Sequence, residues 1–230
     1  MTEPATSKPN RHFEVYRTLS EQHPDNLWGQ VGASLRAVGN RAEQLVNTIA
    51  SGIGLRAGDV LLDLGCGNGV LTDLVFSRCA GGLGVDVTES LIATAQNRFA
   101  RHDRRYMLSD LCRYLAIETS PEQFTKSLCE GSFQYLWPED ARKTLELLCM
   151  RFTNVSAIFL GALPDRDKLS VFFGDRPVPD GFPDTPESHI GIWRSAAEVV
   201  QLGEETGWHV EICPCVPWEA AFRFDAVLRR

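Results

Sequence analysis

Three glycines alternate with other residues directly after a short apolar run. Gly65, Gly67 and Gly69 follow the apolar residues 60–64 and precede a helical pattern. Because glycine has no Cβ, a ligand can approach the main chain closely at such positions. The first amides of the following helix are free to bind polar or anionic groups. The spacing therefore predicts a loop that binds a nucleotide-like ligand at a helix N-terminus.

Two carboxylates follow at the ends of the next two predicted strands. Asp86 ends an apolar run, and Asp110 follows another, with Ser109 before it and Leu111 after it. A carboxylate at the end of the second strand can accept both hydroxyls of a ribose. Asp110 can accept from an exocyclic amine while Leu111 packs under a purine. We therefore expect a nucleoside site, although both acids could also be ordinary turn or loop residues.

The glycine spacing also separates classes of cofactor. Dinucleotide enzymes use a G-x-G-x-x-G pattern, whose third glycine would fall on Val70 here. The loop instead has the pattern D-x-G-x-G-x-G, starting at Asp63, and it carries no lysine for a phosphate. The pattern favours a nucleoside without phosphates.

Strands and helices alternate around these residues, which predicts an α/β fold. Apolar runs without polar alternation are typical of strands buried on both faces of a parallel sheet. No helix is predicted between the last two strands, so we expect the final strand to be antiparallel. The predicted strands are 60–64, 83–87, 106–108, 124–129, 157–163, 208–213 and 222–228, and the predicted helices between them are 70–79, 89–99, 139–150 and 196–205.

The remaining segments flank this alternation. We expect a single domain over 1–230, in which 1–40 form a disordered leader and a helical cap. Helices are predicted over 13–19 and 34–53. The proline-rich segment 164–190 is too long for an ordinary connection, which predicts a lid insertion, with a disordered surface loop as the alternative.

The chain resembles the class I S-adenosylmethionine-dependent methyltransferases. The resemblance rests on residues 60–69, on Gly84-Val85-Asp86-Val87-Thr88, on Ser109-Asp110-Leu111, and on the predicted last strand. It implies a Rossmann-like, seven-stranded, mostly parallel sheet with an antiparallel last strand and helices on both faces. It also implies S-adenosylmethionine as the cofactor. The residues expected to bind this cofactor are Asp63, Gly65, Cys66, Gly67, Asn68, Asp86, Val87, Ser109, Asp110, Leu111 and Cys129, with Tyr16 and Trp28 closing over it from the cap.

The methyl acceptor is less well defined by sequence. Nucleic-acid amino-methylating members of the family carry an Asn/Asp-Pro-Pro-aromatic motif after the fourth strand, and residues 127–136 lack it. That segment is more similar to small-molecule and sugar methyltransferases, although Cys129-Glu130 stand where many relatives have an aspartate. The net charge of −7 also argues against nucleic acid or an anionic membrane as the partner. We expect a small-molecule acceptor that carries a hydroxyl or an amine.

A hydroxyl acceptor benefits from a general base. Glu130 and His189 are the predicted catalytic residues, and an unperturbed histidine titrates near neutral pH. His189 could equally be a surface histidine, and Glu130 could hold the acceptor instead. His23 and Asp165 are further candidates for the base. Asp165, Asp167 and Glu130 could together bind Mg²⁺, but we predict no metal.

The seven cysteines are irregularly spaced and odd in number, so a disulfide framework is not expected. A reducing cytoplasm is the expected compartment. No apolar run is long enough for a membrane span. A homodimer is left open. Two other functions also remain: a non-catalytic S-adenosylmethionine-binding module, and a NAD(P)-dependent oxidoreductase.

Overall fold

One seven-stranded sheet organises the chain. The computed structural model describes residues 12–230, without the side chains of residues 12, 13 and 35. The strands lie in the order β3-β2-β1-β4-β5-β7-β6. Their bounds are β1 Leu61–Leu64, β2 Gly82–Asp86, β3 Arg104–Leu108, β4 Lys126–Glu130, β5 Ala157–Pro164, β6 His209–Pro214 and β7 Arg223–Arg229.

The pairing confirms the predicted fold class. Strands β1 to β5 are parallel to one another, whereas β7 is antiparallel to both β5 and β6. Every residue of β1 and β5 is buried, which explains their continuous apolar runs. The central strands therefore end at one carboxyl edge, the edge where open α/β sheets bind ligands.

Helices cover both faces of the sheet. The pleat of β1 sends Leu61 into a core beside α3, α4 and α5, and Leu62 into a second core beside α6, α7 and α9. Among the described residues, no helix combines the length and hydropathy needed to cross a bilayer. The helices are α1 His12–Gln22, α2 Leu27–Gln30, α3 Arg41–Ile53, α4 Val70–Phe76, α5 Glu89–Phe99, α6 Leu111–Ile117, α7 Pro138–Arg151, α8 Leu169–Phe173 and α9 Ala196–Glu205.

The N-terminal part differs from the prediction, which contains neither α2 nor a break before α3. The single helix expected over 34–53 is a 3-10 turn over Ser34–Ala37 followed by α3. Gly39, with φ of +57°, separates the two because this backbone conformation cannot continue a right-handed helix. The helix predicted over 13–19 lies within α1, whereas the predicted leader falls mostly outside the described residues. We call residues 12–40 the cap.

The segment 164–190 is folded around aromatic side chains. Phe172, in α8, lies 5.5 Å from Trp193 and 5.0 Å from Phe222 between ring centroids. Phe182 stacks on Phe172 at 6.1 Å. This aromatic packing supplies the apolar burial that a disordered surface loop would lack. Its role as a lid stays a prediction.

Strand β5 contains a bulge beside β7. The register between the two strands shifts between Leu160 and Leu163, and Ala162 has φ of +57°. Asp225 accepts a hydrogen bond from the Ala162 amide at 2.9 Å, and Arg223 donates to the Ala162 carbonyl. Such a conformation is uncommon for a residue with a Cβ, and these two β7 side chains hold it.

Candidate functional site

A cavity of about 770 Å³ lies at the carboxyl edge of the sheet, beneath the cap. The ends of β1, β2, β4 and β5 form its floor. The cap covers it with residues from α1, α2 and the 3-10 turn. Its lining includes Tyr16, His23, Trp28, Val31, Arg36, Asp63, Gly65, Cys66, Gly67, Asn68, Asp86, Glu130, Ser132, Gln134, Tyr135, Ala162, His189, Glu219 and Arg223.

The glycine loop turns sharply out of β1. Gly65 and Gly67 have φ of +82° and +55°, a region that favours glycine. A Cβ at Gly65 would overlap Ser132, whose hydroxyl donates to the Gly65 carbonyl at 3.1 Å. A Cβ at Gly67 would lie 3.0 Å from the Val31 side chain. The loop therefore needs glycine at both positions to pass between β4 and the cap.

Asp86 is bound to this loop. Its Oδ2 accepts a hydrogen bond from the Gly67 amide at 2.9 Å, and its Oδ1 accepts from the Thr88 amide at 2.8 Å. Burial raises the pKa of Asp86, and these two amides lower it. The carboxylate thus closes the loop against the end of β2 while also lining the cavity.

Asp63 lies deeper, at the end of β1. It is buried and accepts a hydrogen bond from the Thr72 hydroxyl of α4 at 2.6 Å. Burial raises the pKa of Asp63 to about 7, opposed by the Thr72 hydrogen bond and reinforced by the charge of Asp86. Two carboxylates therefore lie close together beneath the glycine loop.

The side chain of Asn68 fastens the cap to the glycine loop. It is fully buried and donates from Nδ2 to the Leu27 carbonyl at 2.7 Å and to Oε1 of Gln30 at 2.9 Å. Gln30 in turn donates to the carbonyls of His23 and Pro24. The cap is thereby held directly over the loop.

An ion pair links the cap to the end of β4. Nη2 of Arg36 lies 2.6 Å from Oε1 of Glu130, and both side chains are largely buried, at 14% and 4% exposure. Oε2 of Glu130 is buried and has no hydrogen-bond partner among the described residues. Burial raises the pKa of Glu130 to about 7, whereas the charge of Arg36 lowers it. An acceptor oxygen left buried in this way is costly unless a donor reaches it.

Residues after β4 complete the far side of the cavity. Gln134 is buried and donates from Nε2 to the Gly131 carbonyl, while its main-chain carbonyl accepts from the Ile192 amide. The Tyr135 hydroxyl donates to the His189 carbonyl at 3.0 Å. This bond holds the backbone of His189 at the cavity, although the residue is exposed.

The structure brings most of the predicted site residues together. Both predicted catalytic residues, Glu130 and His189, line the cavity, and His23 lines it as well. The predicted cofactor residues that line it are Asp63, Gly65, Cys66, Gly67, Asn68, Asp86, Tyr16 and Trp28.

Five predicted cofactor residues lie outside the cavity lining: Val87, Ser109, Asp110, Leu111 and Cys129. Asp110 is exposed and caps α6, because its Oδ1 accepts from the Arg113 amide at 2.8 Å. Leu111 and Cys129 are buried in the second core. Val87 is 39% exposed. The cofactor roles of these five residues, like those of the predicted residues that line the cavity, stay predictions.

Asp165 also lies outside the cavity lining. It caps a 3-10 turn and contacts Lys168 at 3.2 Å. In the described part of the chain, no group of three or more histidine, cysteine or acidic side chains is arranged to hold a metal ion.

Sequence reasoning missed several residues of the lining. Arg36 lies in a turn predicted as regular helix, and Arg223 opens β7. Ser132 and Gln134 follow β4, so their place at the carboxyl edge was a usable signal. No sequence pattern links Arg36 to Glu130, which lies 94 residues away along the chain.

The sequence of residues 61–151 matches the methyltransferase-domain family. An uncharacterized methyltransferase of Schizosaccharomyces pombe is 42% identical over 73 residues. That match covers 32% of this chain and 27% of the relative, so it spans about a quarter of the relative's length.

Solved structures share the fold at low sequence identity. The magnesium protoporphyrin IX methyltransferase of Synechocystis PCC 6803 with bound SAH has a TM-score of 0.63 and 14% identity, covering 94% of this chain and 95% of that chain. The methyltransferase domain of a bacterial Hen1 has a TM-score of 0.59 and 16% identity, covering 83% of this chain and 97% of that chain.

Proposed function

We propose that this chain transfers a methyl group from S-adenosylmethionine to a hydroxyl or an amine of a small molecule, such as a sugar or a secondary metabolite. The class I methyltransferase fold and the methyltransferase-domain match over residues 61–151 support this proposal. One observation carries the proposal: the same cavity is lined by a glycine loop braced by Asp86 and by Glu130, whose buried Oε2 has no hydrogen-bond partner within residues 12–230.

The cavity fits S-adenosylmethionine in shape and charge. Gly65 and Gly67 line the cavity without side chains of their own, so only their main chain faces a ligand there. The carboxylates of Asp63, Asp86 and Glu130 suit the cationic sulfonium and ammonium groups of this cofactor. We propose that Gly65 and Gly67 hold its methionine part and Asp86 its ribose. Asp110 and Leu111 would hold the adenine beyond the cavity, at the end of β3.

S-adenosylmethionine, when bound, supplies a methyl carbon that leaves sulfur with the bonding electrons remaining on sulfur, while the acceptor's lone pair forms the new bond. The protein aligns the two groups and excludes water. The cap provides that enclosure, since Asn68 and Arg36 hold it over the cavity.

The residue proposed to remove the acceptor's proton is Glu130. Its free Oε2 can accept a hydrogen bond from an O–H or N–H of the acceptor, and its raised pKa brings it close to neutral pH, where a base works best. His189 is the second candidate. It is exposed and lies at the cavity mouth, so it would act only on an acceptor that reaches this side.

A small acceptor fits an enclosed cavity better than a macromolecule does. The volume of about 770 Å³ lies within the range of small-molecule sites, of about 300–1,000 Å³. The net charge of −7 does not favour long contact with a phosphate backbone. Related folds nevertheless serve different acceptors, since one neighbour is named for a porphyrin and another is a small RNA methyltransferase.

Two measurements test the proposal. Calorimetry with S-adenosylmethionine and with NAD(P) separates a methyltransferase from an oxidoreductase, and binding of the nicotinamide cofactor alone would overturn the proposal. Methyl transfer from labelled S-adenosylmethionine is then assayed on small hydroxyl and amine acceptors beside tRNA, DNA and protein. Transfer only to a macromolecule would contradict the small-molecule assignment. Cofactor binding without transfer to any acceptor would favour a non-catalytic binding module.

A further inference from the structure

The carboxylate of Glu130 lies across the neighbouring strand at Gly161. A Cβ built at Gly161 would overlap Oε2 of Glu130. The φ of Gly161 is not in the left-handed region, so backbone conformation does not explain a glycine here. The space taken by the carboxylate, and by the Phe159 ring whose Cε1 would lie 2.8 Å from such a Cβ, explains the glycine. Gly161 is also the residue of β5 that pairs with Glu130 in the sheet.

Arg36 holds the other oxygen of the same carboxylate. Its Nη2 lies 2.6 Å from Oε1 of Glu130 and 3.8 Å from Glu219. Arg36 belongs to the cap, whereas Glu130 ends β4, so this pair forms only where the cap lies over the sheet. The cap thus binds Oε1 of Glu130 through Arg36, whereas Oε2 of the same carboxylate lies over Gly161.

Other charged groups face the same carboxylate. Asp225 of β7 and Glu219, which precedes that strand, raise the pKa of Glu130, and Arg223 of β7 lowers it. Asp225 and Arg223 also fix the bulge at Ala162, the residue after Gly161. The acid is therefore surrounded by fixed groups from β5, β7 and the cap.

We propose that Arg36 and Gly161 are positioning residues for Glu130: Arg36 binds one carboxylate oxygen, and Gly161 provides the space that leaves the other oxygen free for the proton of the methyl acceptor. This inference rests on the proposed function for the role that it gives to Glu130 as the proton acceptor. The geometry itself is tested without any acceptor.

In the step that this arrangement serves, Glu130 takes up the proton that the methyl acceptor loses. The O–H or N–H bond of the acceptor would break, and its proton would go to Oε2 of Glu130. The acceptor's lone pair would form the bond to the methyl carbon as the carbon–sulfur bond of the cofactor breaks, with that bond's electrons staying on sulfur. Glu130 later returns the proton to water. Arg36 stays paired with Oε1 throughout and favours the ionised form of Glu130 before the transfer, against the effect of burial.

The first test follows the titration of Glu130 by NMR, with ¹³C-labelled glutamate carboxyl groups and Glu130→Gln for the assignment. Replacing Arg36 by methionine removes the cation that favours the carboxylate, so the titration midpoint should rise by about one pH unit or more. Arg36→Lys keeps the charge and should stay closer to the parent midpoint. An unchanged midpoint in Arg36→Met would overturn the role of Arg36.

The second test asks whether Gly161 makes the pair possible. In a Gly161→Ala background the carboxylate must move, so Arg36→Met should shift the Glu130 midpoint far less than it does in the parent chain. Gly58→Ala is the matched control, because a Cβ there meets nothing within 4 Å. An Arg36→Met shift as large in Gly161→Ala as in Gly58→Ala would overturn the role of Gly161.

A third variant covers the case in which Gly161→Ala folds poorly. Shortening the acid with Glu130→Asp makes room for the added methyl group, so the double variant should recover part of the lost Tm. No recovery would mean that the overlap with Glu130 is not the cause, and would overturn the proposal. Calorimetry with S-adenosylmethionine on the unmodified chain keeps a failure of the proposed function separate from these outcomes.

Discussion

Oδ2 of Asp86 accepts a hydrogen bond from the amide of Gly67 at 2.9 Å, which ties the end of β2 to the glycine loop. Oδ1 of the same carboxylate binds the Thr88 amide. The acid that sequence assigns to the ribose therefore also shapes the loop proposed to hold the methionine part. Substitutions at Asp86 should affect both halves of the cofactor.

Asp86→Ala should weaken the binding of S-adenosylmethionine by about 2 kcal/mol or more, about 30-fold in Kd, because the amides of Gly67 and Thr88 and the ribose hydroxyls lose their acceptor. Isothermal titration calorimetry measures this change. Asp180→Ala, an exposed acid in the segment 164–190, is the control and should leave the Kd unchanged. Equal affinities in the two variants would mean that the cofactor site is placed wrongly.

Gly65→Ala should abolish cofactor binding, because the added Cβ overlaps Ser132 and the φ of +82° is strained for alanine. Adding Ser132→Gly removes the overlap but leaves the backbone strain. We therefore expect the double variant to regain part of the affinity, as measured by calorimetry. If Gly65→Ala alone binds as the parent chain does, the cradle is not part of the site.

Asn68→Ala should loosen the cap, because the Leu27 carbonyl and Gln30 Oε1 lose a buried donor at a cost of about 1–3 kcal/mol each. Hydrogen exchange over residues 27–37 should then become faster. Thr18→Ala is the matched control within the cap, since the Thr18 hydroxyl bonds only within its own helix. Similar exchange rates in both variants would contradict the anchoring role.

Asp63→Asn should change how stability depends on pH. The pKa of Asp63 rises on folding from 3.8 to about 7, so the folded state binds the proton more tightly than the unfolded state. Its contribution to the free energy of unfolding is complete below pH 3.8 and is lost as the pH rises through 7. Urea unfolding between those pH values should show a shallower decline in Asp63→Asn than in the parent chain. Parallel profiles would mean that Asp63 ionises normally.

Ser195→Ala should lower stability by about 1 kcal/mol and leave cofactor affinity unchanged. Ser195 and Glu198 form a reciprocal capping box at the start of α9, away from the cavity. For a chain of this length the Tm should fall by about 2–4 °C. Asn40 precedes α3 without a capping hydrogen bond, so Asn40→Ala should lower the Tm less. The reverse order would contradict the capping assignment.

The parts of the fold that could be predicted are those governed by local periodicity. Helix α9 has the predicted bounds, and the fully buried strands β1 and β5 follow their apolar runs within one residue. The break before α3 was missed because Gly39 sits in an otherwise continuous helical pattern, where a single glycine is tolerated.

Helix α6 was missed for a different reason. The residue types of Asp110 and Leu111 suit ligand contacts and equally suit an N-cap and a first helical residue. The site was predictable where it depends on strand ends, as at Asp86 and Glu130. It was not predictable where a partner comes from a distant turn, as Arg36 does, because such a pairing has no sequence period.

The position of β7 also orders events during synthesis. β7 lies between β5 and β6, and β6 pairs with β7 alone in the described sheet. Because β6 leaves the ribosome before β7, the backbone donors and acceptors of β6 stay unpaired in the sheet until β7 has been synthesised. The same later strand carries Asp225 and Arg223, which fix the bulge at Ala162. The cavity wall is therefore finished only after β7 has emerged, which makes its assembly a late event in the folding of a nascent chain.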